Sequence, residues 1–296
     1  MIKITFLGTS SMLPTKERNH NAVFIKYKNE GLLVDCGEGT QRQFRLADIP
    51  TTKVTKLLIT HFHGDHVLGI LGLIQSLGAN NYKNKLEIYG PKNTKHYIKN
   101  MLSSIIFKNK IRMEITEITK PGIFFENKDF ILESAQLEHS IYCLGYSFIE
   151  KDTRNVNVSY TKKFGLTRHP LLGNLQKGKN ITYMGQKIEA DKATTIKKGK
   201  KITIILDTLP TKNAVTLAKD SDILIADSTW SYKQEKASGE HLTNMDAANL
   251  AKDSNSKKLI LTHFSQRYKN VDDLKEEIKD VFKETITAKD LMEIEI

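Results

Sequence analysis

KLLITHFHGDH, residues 56–66, packs three histidines and an aspartate into six residues at the end of an apolar run, and KLILTHF at 258–264 repeats its opening almost letter for letter. Both copies end in Thr-His and run on into polar residues, the pattern of a buried strand that delivers a side chain to a site at its end. Titratable groups packed so densely at a buried strand end are costly unless something satisfies them, and a bound cation does. Imidazole and carboxylate together suit Zn²⁺ or a similar transition metal. The chain has only Cys36 and Cys143, so a metal site must draw on His and carboxylates. His61 and His63, two apart, leave the same face of an extended segment, whereas Asp65 and His66 follow Gly64, which lets the backbone turn. That geometry serves two ions better than one.

Outward from the cluster, short apolar runs recur: ITFLG at 4–8, GLLVDCG at 31–37, KLEIYG at 85–90, ITIILD at 202–207 and DILIADS at 222–228. Rich in Ile, Leu and Val and bounded by Gly, Asp or His, they read as buried strands. Helical patterns separate them. One begins at Pro91, one follows Thr211, one opens on Thr243 with Asp246 in a capping-box spacing, and Val271, Leu274, Ile278 and Val281 recur at helical intervals. LMEIEI at 291–296 reads as a closing strand. Strands alternating with helices in both halves predict an α/β architecture with helices covering the sheets. Three further strand-end residues are candidate ligands: Asp207 after ITIILD, His263 after KLILTH, and His139 in QLEHS. The repeated heptad then predicts two similar halves, each sending a histidine to one shared site. His20, His96 and His169 are expected outside it.

The formal charge of +11 is uneven: residues 151–201 hold thirteen Lys or Arg against three Asp or Glu. Within this stretch, 151–195 breaks the strand-helix rhythm with turn formers at Pro170, Gly173, Gly178 and Gly185, and reads as an inserted arm. Such charge is either a solvated Lys-rich surface or a patch for phosphate backbones, and charge alone does not decide. Tyr160, Phe164 and Tyr183 either stack on bases or pack. Arg42, Arg45 and Arg267 are candidates for phosphate contacts nearer the metal site. The alternating N-terminal MIKITFLGTS does not read as a signal peptide, and the longest apolar stretch, VLGILGLIQSLG at 67–78, is far shorter than a bilayer needs. A cytoplasmic protein with no membrane segment is expected.

The HxHxDH cluster with a later His, Asp and His resembles the metallo-β-lactamase superfamily, and within it the chain is similar to the short form of the tRNase Z (ribonuclease Z) family. The matching pieces are LGTSSMLPTKERN at 7–19, VDCGEGTQRQ at 34–43, ITHFHGDHVLGILGL at 59–73, LDT at 206–208, HLT at 241–243 and LTHFSQRY at 261–268. DCGEGTQRQ and HFSQRY are far more specific than HxHxDH, which hydrolases of many substrates share. The resemblance implies an αββα four-layer sandwich of two similar halves with the arm inserted. It implies two Zn²⁺ per subunit, with Mn²⁺ an alternative: one held by His61, His63 and His139, the other by Asp65, His66 and His263, with Asp207 bridging. Asp65 would also manage the proton of the attacking water. His241 of the HxT motif would serve the leaving-group side, oriented by Asp227 where the family carries Glu. The implied activity is endonucleolytic removal of the 3′ trailer from precursor tRNA after the discriminator base, leaving a 3′-hydroxyl, by a homodimer whose arm clamps the tRNA. Lys162, Lys163, Arg168, Lys177 and Lys179 of the arm, with Arg267, are the RNA-binding candidates. A small-molecule hydrolase of the superfamily, such as a thioesterase or lactamase, would use the same ligands without the basic segment. A non-catalytic RNA-binding protein would keep the charge and lose the ligands.

Overall fold

In a computed structural model describing residues 1–106, 110–233 and 240–296, the apolar runs become strands of two sheets. The first half supplies β1 (Ile2–Gly8), β2 (Ala22–Tyr27), β3 (Glu30–Val34), β4 (Lys56–Leu58), β5 (Lys85–Gly90) and β6 (Arg112–Glu117). Then come β7 (Gly122–Glu126), β8 (Phe130–Leu137) and β9 (Cys143–Glu150). Four short strands follow: β10 (Thr153–Val156), β11 (Ile181–Tyr183), β12 (Gln186–Ile188) and β13 (Thr194–Lys197). Last are β14 (Lys201–Ile205), β15 (Ile223–Asp227), β16 (Leu259–Thr262), β17 (Thr285–Thr287) and β18 (Glu293–Glu295). Among the described residues each large sheet has seven strands, in the orders β18-β1-β2-β3-β4-β5-β6 and β17-β16-β15-β14-β9-β8-β7.

Helices cover the outer faces because their apolar stripes have nowhere else to go. On the first sheet, Phe44 of α1 (Thr40–Leu46), Ile70, Leu73, Ile74 and Leu77 of α3 (Ile70–Ala79) and Ile98 of α4 (Thr94–Ser103) join one buried cluster with Leu33, Leu57 and Ile88. A single helical turn, α2 (Gly64–Val67), lies between α1 and α3. On the second sheet, Leu217 of α8 (Lys212–Ala218) and the alanines of α9 (Asn244–Asp253) pack on Ile205, Leu224 and Leu261. The inner faces meet directly: the Tyr27 and Phe148 rings are 5.3 Å apart, and the Tyr146 hydroxyl donates to the Ile59 carbonyl across 2.6 Å. These layers are the αββα sandwich.

The two halves repeat one local plan. β3 runs parallel to β4, pairing Val34 with Leu58, and β15 runs parallel to β16, pairing Asp227 with Thr262. Each pair thereby brings an Asp-ended strand beside a Thr-His-ended one. The capping box at Thr243 forms with Asp246. The spacing from Val271 to Val281, by contrast, is not one helix. α10 covers only Asp272–Glu276, and turns with Ile278 N–H to Lys275 O (3.2 Å) and Val281 N–H to Ile278 O (2.9 Å) continue the spacing. Val271, Leu274 and Ile278 are still buried in the second cluster, so the apolar interval reports burial, which such turns satisfy as well as an α-helix.

The chain divides into two compact units. Residues 126–131 and 149–200 form the second, which contains the stretch 151–195. Here β10 pairs with β13 and β11 with β12, joined by α5 (Val158–Thr161), α6 (Leu172–Gln176) and α7 (Ala190–Ala193). This unit has its own small core of Leu166, Leu175, Ile181, Ile188, Ala190 and Ala193, against which Tyr160, Phe164 and Tyr183 pack. Lys162, Lys163, Arg168, Lys177 and Lys179 are all exposed on it. Among the described residues no helix is long and apolar enough to cross a membrane.

Candidate metal centre

Strand ends of both sheets converge on one point. β4 stops at Leu58 and the chain continues to Thr60-His61, α2 starts just after His63 and carries Asp65 and His66, His263 follows β16, and Asp207 and His139 lie just past β14 and β8. Gly37 makes the approach of the HFHGDH loop possible: a Cβ there would sit 2.4 Å from the Asp65 carbonyl oxygen and 2.4 Å from the His20 Cβ. His263 and Asp35 take left-handed backbone conformations (φ 61° and 58°), strained for non-glycine residues and stabilised by the packing around the centre.

The converging atoms fall into two donor sets that share Asp207. In the first, Asp207 Oδ2 lies 3.6 Å from His61 Nε2 and 3.8 Å from His139 Nε2, and His63 Nδ1 lies 3.0 and 3.2 Å from the same two nitrogens. In the second, Asp207 Oδ1 lies 3.4 Å from His66 Nε2 and 3.2 Å from His263 Nε2, with Asp65 Oδ2 3.3 and 3.5 Å from those nitrogens. The structure thus brings together all seven residues singled out in the sequence, in the two groups the resemblance implies. A third group of Asp207, Asp227, His241 and His263 also clusters. There Asp227 already accepts hydrogen bonds from Thr229 N–H (2.8 Å), the Thr229 hydroxyl (2.6 Å) and Leu242 N–H (3.0 Å), which makes it a supporting carboxylate.

Supporting groups fix which ring nitrogen faces inward. Asp35 accepts from Thr60 N–H (2.8 Å), the Thr60 hydroxyl (2.8 Å) and His66 Nδ1–H (2.6 Å). Because the Thr60 hydroxyl spends its one proton on Asp35, its oxygen accepts from His61 Nδ1–H (3.0 Å). Thr229 repeats the device in the second half, donating to Asp227 and accepting from His263 Nδ1–H (3.0 Å). His139 Nδ1–H donates to the Glu240 carbonyl (3.0 Å). Each of these four rings therefore turns Nε2 toward the centre. His66 Nε2, His263 Nε2 and Asp207 Oδ1 are buried and make no hydrogen bond, although Asp207 Oδ1 lies 3.4 and 3.2 Å from the two nitrogens. Three buried polar atoms aimed at one point fit a cation.

The electrostatics agree. Burial pushes His61 well below its ordinary range, with His66 adding to the effect, and burial lowers His139 as well. In the second set burial is outweighed: Asp207 and Asp35 hold His66 well above its ordinary value, and Asp207, Asp227 and Asp65 raise His263 to about 10. Against the same burial, His263 and His66 keep both Asp207 and Asp65 well below the carboxylate range. The carboxylates are thus held ionised inside a low-dielectric pocket, the state in which they can serve as cation donors.

One side of the centre opens into a cleft of about 570 Å³ lined by His63, Asp65, Asp207, Trp230, His241 and Arg267 among others. His241 Nδ1 lies 3.3 Å from Asp227 Oδ2; burial disfavours its charged form, but Asp227 raises it, while His241 and His263 hold buried Asp227 down to about 2. Sequence reading assigned no role to Asp35, Thr60, Thr229 or the Glu240 carbonyl. His20, expected outside the site, is buried in the cleft wall with Nε2 3.1 Å from the Met12 carbonyl oxygen, whereas His96 and His169 are exposed. Arg45 lines a separate cleft with Gln41.

The sandwich and its strand-end His/Asp centre define a metallo-β-lactamase fold hydrolase. The family model described as "Anti-Pycsar protein Apyc1" matches residues 2–154, a span that holds His61 to His139 but stops short of Asp207 and His263. Full-length relatives cover both halves: the chain is 36% identical to ribonuclease Z of Picosynechococcus sp. over 98% of this chain and 95% of that one. It is also 36% identical to ribonuclease Z of Methanothermobacter thermautotrophicus over 100% and 97%. Human tRNase Z, short form, superposes with a TM-score of 0.72 at 25% identity, covering 99% of both chains. The chain belongs to the ribonuclease Z family.

Proposed function

We infer that this protein is a metal-dependent endoribonuclease that removes the 3′ trailer of precursor tRNA after the discriminator base and leaves a 3′-hydroxyl. The observation that carries the reading is the pair of donor sets sharing Asp207, in a chain that aligns with ribonuclease Z from end to end. We assign His61, His63, His139 and Asp207 to one zinc and Asp65, His66, His263 and Asp207 to a second, with manganese an alternative. Bound there, the ions neutralise phosphate charge and bring the pKa of a water near 7.

The chain's own residues do the rest. Asp65 stands at the cleft edge with its side chain 11% exposed, where its ionised carboxylate orients the attacking water and, once a bound cation has replaced the protons of His66 and His263 that hold it acidic, takes up the water's proton. His241, 21% exposed and raised in pKa by Asp227, donates a proton to the 3′-oxygen as the phosphorus–oxygen bond breaks, and the 5′-phosphate stays on the trailer. The shorter Asp227, where the family carries Glu, still reaches His241 because Leu242 N–H fixes the same oxygen, Oδ2. His241→Ala is expected to lower kcat about a hundredfold with KM little changed; single-turnover cleavage measures this, and an unchanged kcat would remove the general-acid role.

The exposed Lys162, Lys163, Arg168, Lys177 and Lys179 of the second unit give it the charge to hold folded RNA by its phosphates rather than its sequence. Tyr160, Phe164 and Tyr183 pack against that unit's core, which leaves recognition there to the cations. The reading extends to a cytoplasmic homodimer, which sedimentation of the purified protein tests. Incubating the protein with a precursor tRNA, a thioester and a β-lactam in parallel separates this function from the small-molecule alternative. Turnover of the tRNA alone supports it, and turnover of a small substrate with intact RNA would replace it.

A further inference from the structure

His241 lies on the chain between β15 and α9, and hydrogen bonds draw the two ends of that stretch together. Trp230 and Thr243 form a β-bridge, with Trp230 N–H to Leu242 O (3.4 Å) and Asn244 N–H to Trp230 O (2.8 Å). Leu242 N–H reaches Asp227 Oδ2 (3.0 Å), the oxygen that His241 Nδ1 meets at 3.3 Å. The same ends are fastened by Glu277, the residue after α10. Its Oε2 accepts from the Ser231 hydroxyl (2.8 Å) and from the Asn244 side-chain amide (2.6 Å). Asn244 is fully buried and engaged on both sides: its amide also donates to Leu274 O (2.8 Å), and its Oδ1 accepts from Tyr232 N–H (2.9 Å) and Met245 N–H (3.0 Å).

We propose that Glu277 is a positioning residue for the proton donor: by joining Ser231 to Asn244 it keeps the His241 ring against Asp227. This rests on the ribonuclease reading and on the role of His241 in it. Ser231 and Asn244 lie on either side of His241 in the chain and both are buried, so a carboxylate that accepts from both fixes their separation. Without it, a buried hydroxyl and a buried amide each lose a partner. The contact it protects has little slack. At 3.3 Å, His241 Nδ1 to Asp227 Oδ2 is already at the long end for a hydrogen bond, and a small further shift would break it. Glu277 belongs to neither donor set and does not line the cleft, so its influence on turnover passes through the segment it holds.

A double-mutant cycle separates positioning from general support of the fold. Single-turnover cleavage of a precursor tRNA is measured for the wild type, Glu277→Ala, His241→Ala and the double variant, with melting temperature and metal content confirming that each is folded and loaded. Glu277→Ala is expected to lower kcat about tenfold with KM little changed, a part of what the proton donor supplies, and to lose nothing further in the His241→Ala background. Glu277→Gln, whose amide oxygen can accept both hydrogen bonds, is expected to restore the wild-type rate. If Glu277→Ala does not fold, Ser231→Ala removes one of the two bonds, leaves the carboxylate in place and enters the same cycle with an expected loss of about threefold. Equal losses in both backgrounds would make Glu277 a support of the fold at large and overturn the proposal, as would a Glu277→Ala rate equal to that of the wild type. A wild type that leaves the RNA intact would instead overturn the ribonuclease reading beneath it.

Discussion

Asp207→Asn is expected to reduce cleavage of precursor tRNA by at least about a thousandfold, the scale of removing a preorganised charge from a water-excluded site. The change is nearly isosteric, so the loss is one of charge and donor character. Oδ2 faces His61 and His139 while Oδ1 faces His66 and His263, so one substitution weakens both donor sets at once. An amide at this position presents one oxygen and one NH₂ group, and the NH₂ cannot ligate a cation. Elemental analysis of the purified variant should show lost metal alongside the lost rate. Near-normal turnover by Asp207→Asn would mean that this carboxylate is not shared between two ions.

The second large effect is on the fold itself. Stripping metal with a chelator is expected to abolish turnover and to lower the melting temperature, both restored by adding zinc or manganese. An ion supplied at about a thousand times its Kd contributes about 4 kcal/mol through preferential binding to the native state. In a chain of this size that amounts to roughly 8 °C. The centre joins the ends of strands from both sheets, so the stabilisation belongs to the sandwich as a whole. Differential scanning fluorimetry across a metal titration measures it, and a melting temperature indifferent to metal would argue that the His/Asp cluster holds no ion.

The seven residues of the two donor sets were legible in the sequence because each terminates or follows an apolar strand, where a charged or titratable residue is conspicuous. Asp35 was not, although it directly follows the apolar strand that ends at Val34. Its contact with His66 and Thr60 depends on β3 lying parallel and adjacent to β4, a register that strand patterns do not encode. Thr60 and Thr229 are equally silent, since a threonine before or near a histidine looks like ordinary strand composition until its hydroxyl is seen to accept from an imidazole. His20 was set aside for want of neighbours in sequence, yet the β-bridge from Ser10 to His20 carries it to the cleft. In the basic stretch the elements are only three to five residues long, too short for a 3.6- or 2-residue period to stand out, so the inserted arm was read without its core of six buried residues.

The most direct test of the account is the chemistry of the cut end. A 5′-labelled precursor tRNA is incubated with the protein and metal, with Asp65→Ala alongside, and the product's terminus is mapped and its end group identified. Attack by a water whose proton passes to Asp65 predicts one product ending at the discriminator nucleotide with a 3′-hydroxyl, absent in the variant. A 2′,3′-cyclic phosphate, or cuts scattered along the trailer that survive Asp65→Ala, would contradict it, because the RNA's own 2′-hydroxyl would then be the nucleophile and the metal centre would not be making the cut.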